Sequence, residues 1–108
     1  MTKSNDKAYF SMEYTSGTSV VWGKAVARRL GVVPRNVAAK FLEWVNAVKM
    51  VGLAKVRARP GFHDEPLKGE RRGQRSIRLS RSYRAIYVET LSGTVELVEV
   101  IEVTKHEY

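Results

Sequence analysis

The chain has 108 residues, a formal net charge of +8, a sequence pI near 10.1 and no cysteine. That length fits one domain with a modest core, and the charge points to an anionic partner, nucleic acid ahead of an acidic protein or a membrane surface. The lack of cysteine excludes a disulfide framework, a thiol nucleophile and thiolate-bound zinc, while an apolar share of 44% excludes wholesale disorder.

The opening MTKSNDKAYF lacks the long apolar run of a signal peptide, and no stretch is long enough to span a bilayer, so a cytoplasmic location is expected. Residues 7–14 mix aromatic and polar positions like a strand, which is either part of the core or a dispensable arm. TSGT at 15–18 reads as a turn, SVVW at 19–22 as a short extended run, and KAVARRL at 24–30 as a short helix. Gly31 suits the end of that helix and Pro34 the start of the next. From there Val37, Phe41, Trp44, Val48 and Val51 recur at intervals of three or four, with Ala38, Leu42 and Val45 widening the stripe. The pattern predicts an amphipathic helix over 34–51, ended by Gly52, with Trp44 in the core. Residues 53–65 carry Pro60 and Gly61 and read as a loop, with at most a brief extended piece at its start.

Residues 65–87, EPLKGERRGQRSIRLSRSYRAIY, hold seven cations, Lys68, Arg71, Arg72, Arg75, Arg78, Arg81 and Arg84, against Glu65 and Glu70. From Arg72 the arginines recur every third residue, as on a helix, but Gly69, Gly73 and the serines oppose a helix. Ile77 and Leu79 alternate with period two, as do Tyr83, Ala85 and Tyr87. Two strands are expected, 74–80 and 82–89, behind a glycine-rich turn at 69–73, with Arg78 and Arg84 facing away from Arg75 and Arg81. LSG at 91–93 makes a turn into a last strand, TVELVEVIEV, apolar on both faces, whose glutamates can neutralise neighbouring arginines.

Cutting RNA without a metal requires a base for the ribose 2′-OH, cations for the charge at phosphorus and an acid for the leaving oxygen. Glu65 at the start of the basic stretch and His106 beyond the last strand could meet at opposite ends of one groove. Arg78 and Arg84 would then hold the phosphate in their planar forks. Glu65 is equally open to a plain ion pair, and His106 to an idle surface position. His63, Asp64, Glu65 and His106 do not make a persuasive metal site, because the two histidines lie far apart without helical spacing. Tyr83 and Tyr87 suit the core, leaving Tyr108 as the better candidate for stacking on a base.

EPLKG at 65–69, SIRL at 76–79, YRAIY at 83–87 and a last strand running into VTKHEY at 103–108 together resemble the RelE superfamily of bacterial toxins, the mRNA interferases of toxin–antitoxin pairs. VVWGKAVARRL and the helix opening with PRNV resemble the family's first strand and two helices, so the resemblance spans residues 18–108 and leaves 1–15 as a possible N-terminal extension. It implies a single α+β domain, with two N-terminal helices on one face of a mainly antiparallel sheet of about four strands and a basic face opposite. It implies a ribosome-dependent endoribonuclease that needs no cofactor and cuts mRNA in the A site of the 70S ribosome by 2′-OH attack. The implied partners are a cognate antitoxin, mRNA and ribosome, with no membrane, and operator DNA reached through the antitoxin.

Carried over by residue, the resemblance makes Glu65 the general base, Arg84 the stabiliser of the phosphate and His106 the acid. Lys68, Arg75, Arg78, Arg81, Lys105 and Tyr108 are then RNA or phosphate contacts. Where related chains end in His-Tyr, Glu107 here separates His106 from Tyr108, which leaves two candidates for the acid. ParE-like relatives share the fold and instead inhibit DNA gyrase, and a plain RNA-binding module is a third reading.

Overall fold

Short-period apolar alternation builds the sheet, and the longer helical period covers one side of it. The computed structural model describes residues 16–92 and 95–105; the expected strand at 7–14, His106 and Tyr108 lie outside them. Five strands follow in the chain: β1 (Thr18–Trp22), β2 (Glu65–Pro66), β3 (Arg75–Arg78), β4 (Tyr83–Ser92) and β5 (Val95–Lys105). Across the sheet the order is β1-β5-β4-β3-β2, with β1 parallel to β5 and every other pairing antiparallel.

Three helices, α1 (Lys24–Leu30), α2 (Arg35–Val51) and α3 (Leu53–Arg57), lie between β1 and β2 in the chain. α2 carries the predicted stripe: Val37, Phe41, Trp44 and Val48 are buried together with Val26 of α1 and Leu53 and Val56 of α3. They pack on Ile77, Ala85, Tyr87, Val98, Val100 and Val103 of the sheet. Trp22, Phe41, Trp44 and Tyr87 form a chain of ring contacts with centroids 5.0, 6.2 and 5.2 Å apart. Leu42, expected on the stripe, is half exposed.

The structure corrects the expected architecture in two places. The sheet has five strands rather than about four, since Glu65 and Pro66 form a two-residue edge strand against Ser76 and Arg75. So short a strand carries no alternation, and proline is tolerated there because an edge position can spare its N–H. The expected loop at 53–65 begins as a third helix, Leu53–Arg57. Gly52, at φ 90°, turns the chain sharply between α2 and α3, a conformation that suits a residue without Cβ. Leu53 and Val56, three apart, then fall on the same buried face.

β5 contains one irregularity. Ile86 pairs with Glu102 and Tyr87 with Val100, so Ile101 is an extra residue in the ladder. The bulge lets Val98, Val100 and Val103 all turn toward the helices although their numbers differ in parity.

Candidate nucleic-acid interface

The segment from Pro60 to Glu65 sets the site. Pro60–Phe62 form a single 3₁₀ turn whose Phe62 is buried. His63 then adopts a left-handed conformation, φ 48°, and the chain enters β2. Asp64 and Glu65, adjacent in sequence, have opposite surroundings. The Asp64 side chain is 1% exposed, whereas that of Glu65 is 55% exposed.

Asp64 is the hub of a polar network on the helix side of the sheet. Its Oδ1 accepts from Arg75 Nε at 2.6 Å, its Oδ2 accepts from the Tyr87 hydroxyl, and Arg57 Nε lies 3.9 Å away. Arg57 Nη2 donates to Glu89 Oε1 at 2.9 Å and to the Tyr87 hydroxyl at 3.4 Å. Burial, the Asp64 bond and the nearby carboxylate charge push the Tyr87 hydroxyl well above its ordinary pKa, so it stays a donor. Burial alone would weaken the hold of Arg57 on its proton, but the bonds to Glu89 and Tyr87 more than reverse that.

The opposite, open face carries a second cluster. Arg84 of β4 donates through Nη1 to Ser76 Oγ at 2.9 Å and through Nη2 to Glu65 Oε1 at 3.2 Å. Ser76, on β3 between them, is itself buried. Arg84 is thereby fixed at two points and retains further N–H donors, since a guanidinium has five. Arg78 is the cross-strand partner of Arg84, and its side chain has no hydrogen-bond or ion-pair partner among the described residues. Arg71 approaches the same face and pairs with Glu102 Oε1 at 2.6 Å, while its Nε donates to Gln74 Oε1 at 2.7 Å. The arrangement offers a phosphate two adjacent guanidinium groups beside an accessible carboxylate.

No family model matches the chain, and no curated protein matches it in sequence. Solved structures do. A YoeB/ParE toxin from Agrobacterium tumefaciens superposes with a TM-score of 0.63 at 21% identity, covering 82% of this chain and 99% of that one. YafQ from E. coli strain BL21(DE3) superposes at 0.53 with 11% identity, over 82% of this chain and 92% of its own. HP0894 from Helicobacter pylori gives 0.50 and 14%, over 82% and 93%. The chain has the RelE-like toxin fold. At these identities the likeness is one of fold, and it bears out the resemblance seen in the sequence at that level.

Within the RelE-like fold the predicted residues separate into groups. Glu65, Arg78 and Arg84 come together on the open face, and Lys68 is exposed just beyond β2. Arg75 is on the other face, bound to Asp64. Arg81 lies in the β3–β4 connection rather than on a strand, so strand parity does not govern it. Lys105 ends β5 opposite Tyr83. Ser76 and the role of Asp64 escaped the sequence reading, whereas the Arg71–Glu102 pair is of the kind expected between the last strand's glutamates and neighbouring arginines. Ser76 shares parity with Arg78, which is the only trace of its role in the pattern. Among the described residues no group of three His, Cys, Asp or Glu is placed to hold a metal, and no helix is long and apolar enough to cross a membrane.

Proposed function

We propose that the protein is the toxin of a toxin–antitoxin pair and acts as a ribosome-dependent endoribonuclease, cutting mRNA in the A site. The observation that carries this reading is the Arg84 guanidinium, held by Ser76 and Glu65 on the open face of a RelE-like toxin fold. The scissile phosphate binds Arg84 and Arg78 and competes with Glu65 for the Arg84 donor. Glu65, released, takes the proton of the ribose 2′-OH. The 2′-oxygen bonds to phosphorus, the bond to the 5′-oxygen breaks, and an acid from the segment after β5, His106 or Tyr108, protonates the leaving oxygen.

The guanidinium groups offset the charge gained at phosphorus, so the reaction runs without a metal. Lys68 and Lys105 add phosphate contacts, with Arg75 kept to a structural role. The ribosome supplies alignment of the 2′-OH with the phosphate, and orientation of that kind is worth roughly 7–11 kcal/mol. A cognate antitoxin of acidic character would complement the charge of +8 and hold the toxin inactive, with operator DNA bound through the antitoxin.

Primer extension on a defined mRNA, with and without translating ribosomes, tests the reading. New ends are expected only with wild-type protein and ribosomes, and not with Arg84→Ala. Growth arrest by the wild type without new ends would overturn the nuclease reading in favour of a ParE-like inhibitor of DNA gyrase.

A further inference from the structure

Between the first turns of α2 and the β3–β4 connection lies a cleft of about 580 Å³, lined among others by Asn36, Lys40, Gly61, Arg78, Ser80 and Arg81. Its volume falls in the range of roughly 300–1,000 Å³ found for small-ligand sites. Among the described residues no carboxylate lines it. Three arginines of the basic stretch outside it have acidic partners: Arg71 has Glu102, Arg75 has Asp64 and Arg84 has Glu65. In the cleft, the Arg78 side chain has no hydrogen-bond or ion-pair partner among the described residues. The nearest carboxylate to Lys40 is the exposed Glu43 at 3.7 Å, and the ammonium also lies 4.7 Å from the Phe62 ring. The cleft therefore gathers cations around the uncommitted Arg78 side chain, a setting that favours an anionic ligand.

The cleft is continuous with the site on the open face through Arg78, which is paired in register with Arg84. Directly opposed residues on neighbouring antiparallel strands have Cα atoms only about 4.5–5.5 Å apart. A strand of RNA with one phosphate held between Arg84 and Arg78 thus brings the adjoining nucleotide to the cleft mouth. Asn36 supplies an amide with two donors and an acceptor, the equipment for reading a base edge. Ser80 is committed to the turn, its Oγ accepting from the backbone of Ser82 and Tyr83 at 3.2 Å each.

We propose that this cleft is a second RNA subsite, taking the nucleotide that adjoins the one held at Arg84. Lys40 holds its phosphate, with Arg78 shared between the two phosphates, and Asn36 reads its base. The inference rests on the reading of the open face as an RNA site, but it does not require that the RNA be cut.

Gly61 gives a clean test. A Cβ built there meets nothing within 4 Å, and the backbone is not in the left-handed region, so a side chain is accepted without strain. Gly61→Glu places a carboxylate in the cleft, Gly61→Gln an uncharged group of the same size, and neither alters Glu65, Arg78 or Arg84. Fluorescence anisotropy at low salt would follow 5′-labelled 2′-O-methyl RNA from dinucleotide to hexanucleotide, with thermal melting as the check on folding. Wild-type affinity is expected to rise about tenfold at the length that reaches the cleft. Gly61→Glu should lose that step, Gly61→Gln should lose less of it, and dinucleotide binding should be equal in all three. Lys40→Gln should lower the slope of log affinity against log salt by about one.

Equal binding of the longer RNAs by wild type and Gly61→Glu would overturn the proposal, as would wild-type affinity that is undetectable or independent of length. Unchanged oligonucleotide binding, with loss of co-sedimentation with vacant ribosomes in Gly61→Glu, would overturn it by giving the cleft to ribosomal RNA. A cleft-dependent step in wild-type protein that cuts no mRNA on ribosomes would support the subsite and remove only the nuclease reading.

Discussion

The Arg84 guanidinium reaches past β3 to within 3.2 Å of the Glu65 carboxylate, held on the way by Ser76 Oγ at 2.9 Å. A partly exposed pair of this kind adds little to stability, on the order of 0–1 kcal/mol. Its interest is chemical, because an arriving phosphate takes over the guanidinium and leaves the carboxylate free to accept a proton. Arg84→Ala is therefore expected to abolish growth arrest while changing the urea midpoint only slightly. Arg84→Lys keeps the charge but cannot bridge Ser76 and Glu65 as a planar fork does. It should restore little of the arrest, measured by induced expression in a culture, and full toxicity of either variant would remove Arg84 from the site.

Asp64 predicts a different outcome. Replacing it by Ala leaves Arg75 without its buried acceptor, Arg57 without its nearby counter-charge and Tyr87 without its bond. The expected loss is about 3 kcal/mol, read by urea unfolding. Tyr87→Phe removes one donor and keeps the packing against Trp44, so about 1 kcal/mol is expected. A loss for Asp64→Ala no larger than for Tyr87→Phe would mean that the network does not hold the two arginines in place.

Trp44 is fully buried between Phe41 and Tyr87, yet its Nε1 has no hydrogen-bond partner among the described residues. Trp44→Ala should cost about 4 kcal/mol through the cavity it opens. Trp44→Phe also relieves the unpaired N–H, which offsets part of the lost volume, and should cost less than about 2 kcal/mol. Denaturant melts of the two variants provide the comparison.

Glu89 and Glu96 share a carboxyl–carboxylate hydrogen bond that lowers the pKa of Glu89 and raises that of Glu96. Burial adds to the rise at Glu96, and the Arg57 guanidinium adds to the fall at Glu89. The raised group contributes stability that is complete below its unfolded value and is lost as pH rises through its folded value. The depressed group contributes stability present above its unfolded value and lost as pH falls through its folded value. The pair is most stable between the two folded values, where Glu96 carries the proton and Glu89 the charge. Glu96→Gln supplies a permanent donor, so its melting temperature should exceed that of wild type at neutral pH and the gap should close on acidification. A gap independent of pH would rule out the shared proton.

The sequence made α2 plain because Val37, Phe41, Trp44 and Val48 repeat a helical spacing over a long run. It also separated Arg84 from Arg75 by strand parity, and the two do lie on opposite faces. α3 was hidden because five residues offer a single turn of periodicity, and β2 because two residues offer none. The destination of Asp64 was equally out of reach. Nothing local distinguishes it from Glu65, and its burial depends on Arg57, Arg75 and Tyr87 arriving from three other elements. The cleft joins α2 to the β3–β4 connection, so its cations are distant in the chain.

Ile101, the extra residue in β5, has an effect that runs past its own position. Taken as an ordinary member of the alternation, it would present Glu102 and Thr104 to the helices and Val103 to water; bulged out of the ladder, it leaves Glu102 to meet Arg71 and Thr104 beside Arg84. The bulge thus absorbs a one-residue frame shift, so that everything downstream keeps the face set upstream of it. Deleting Ile101 would remove the bulge yet leave Val98, Val100 and Val103 on one face in plain alternation.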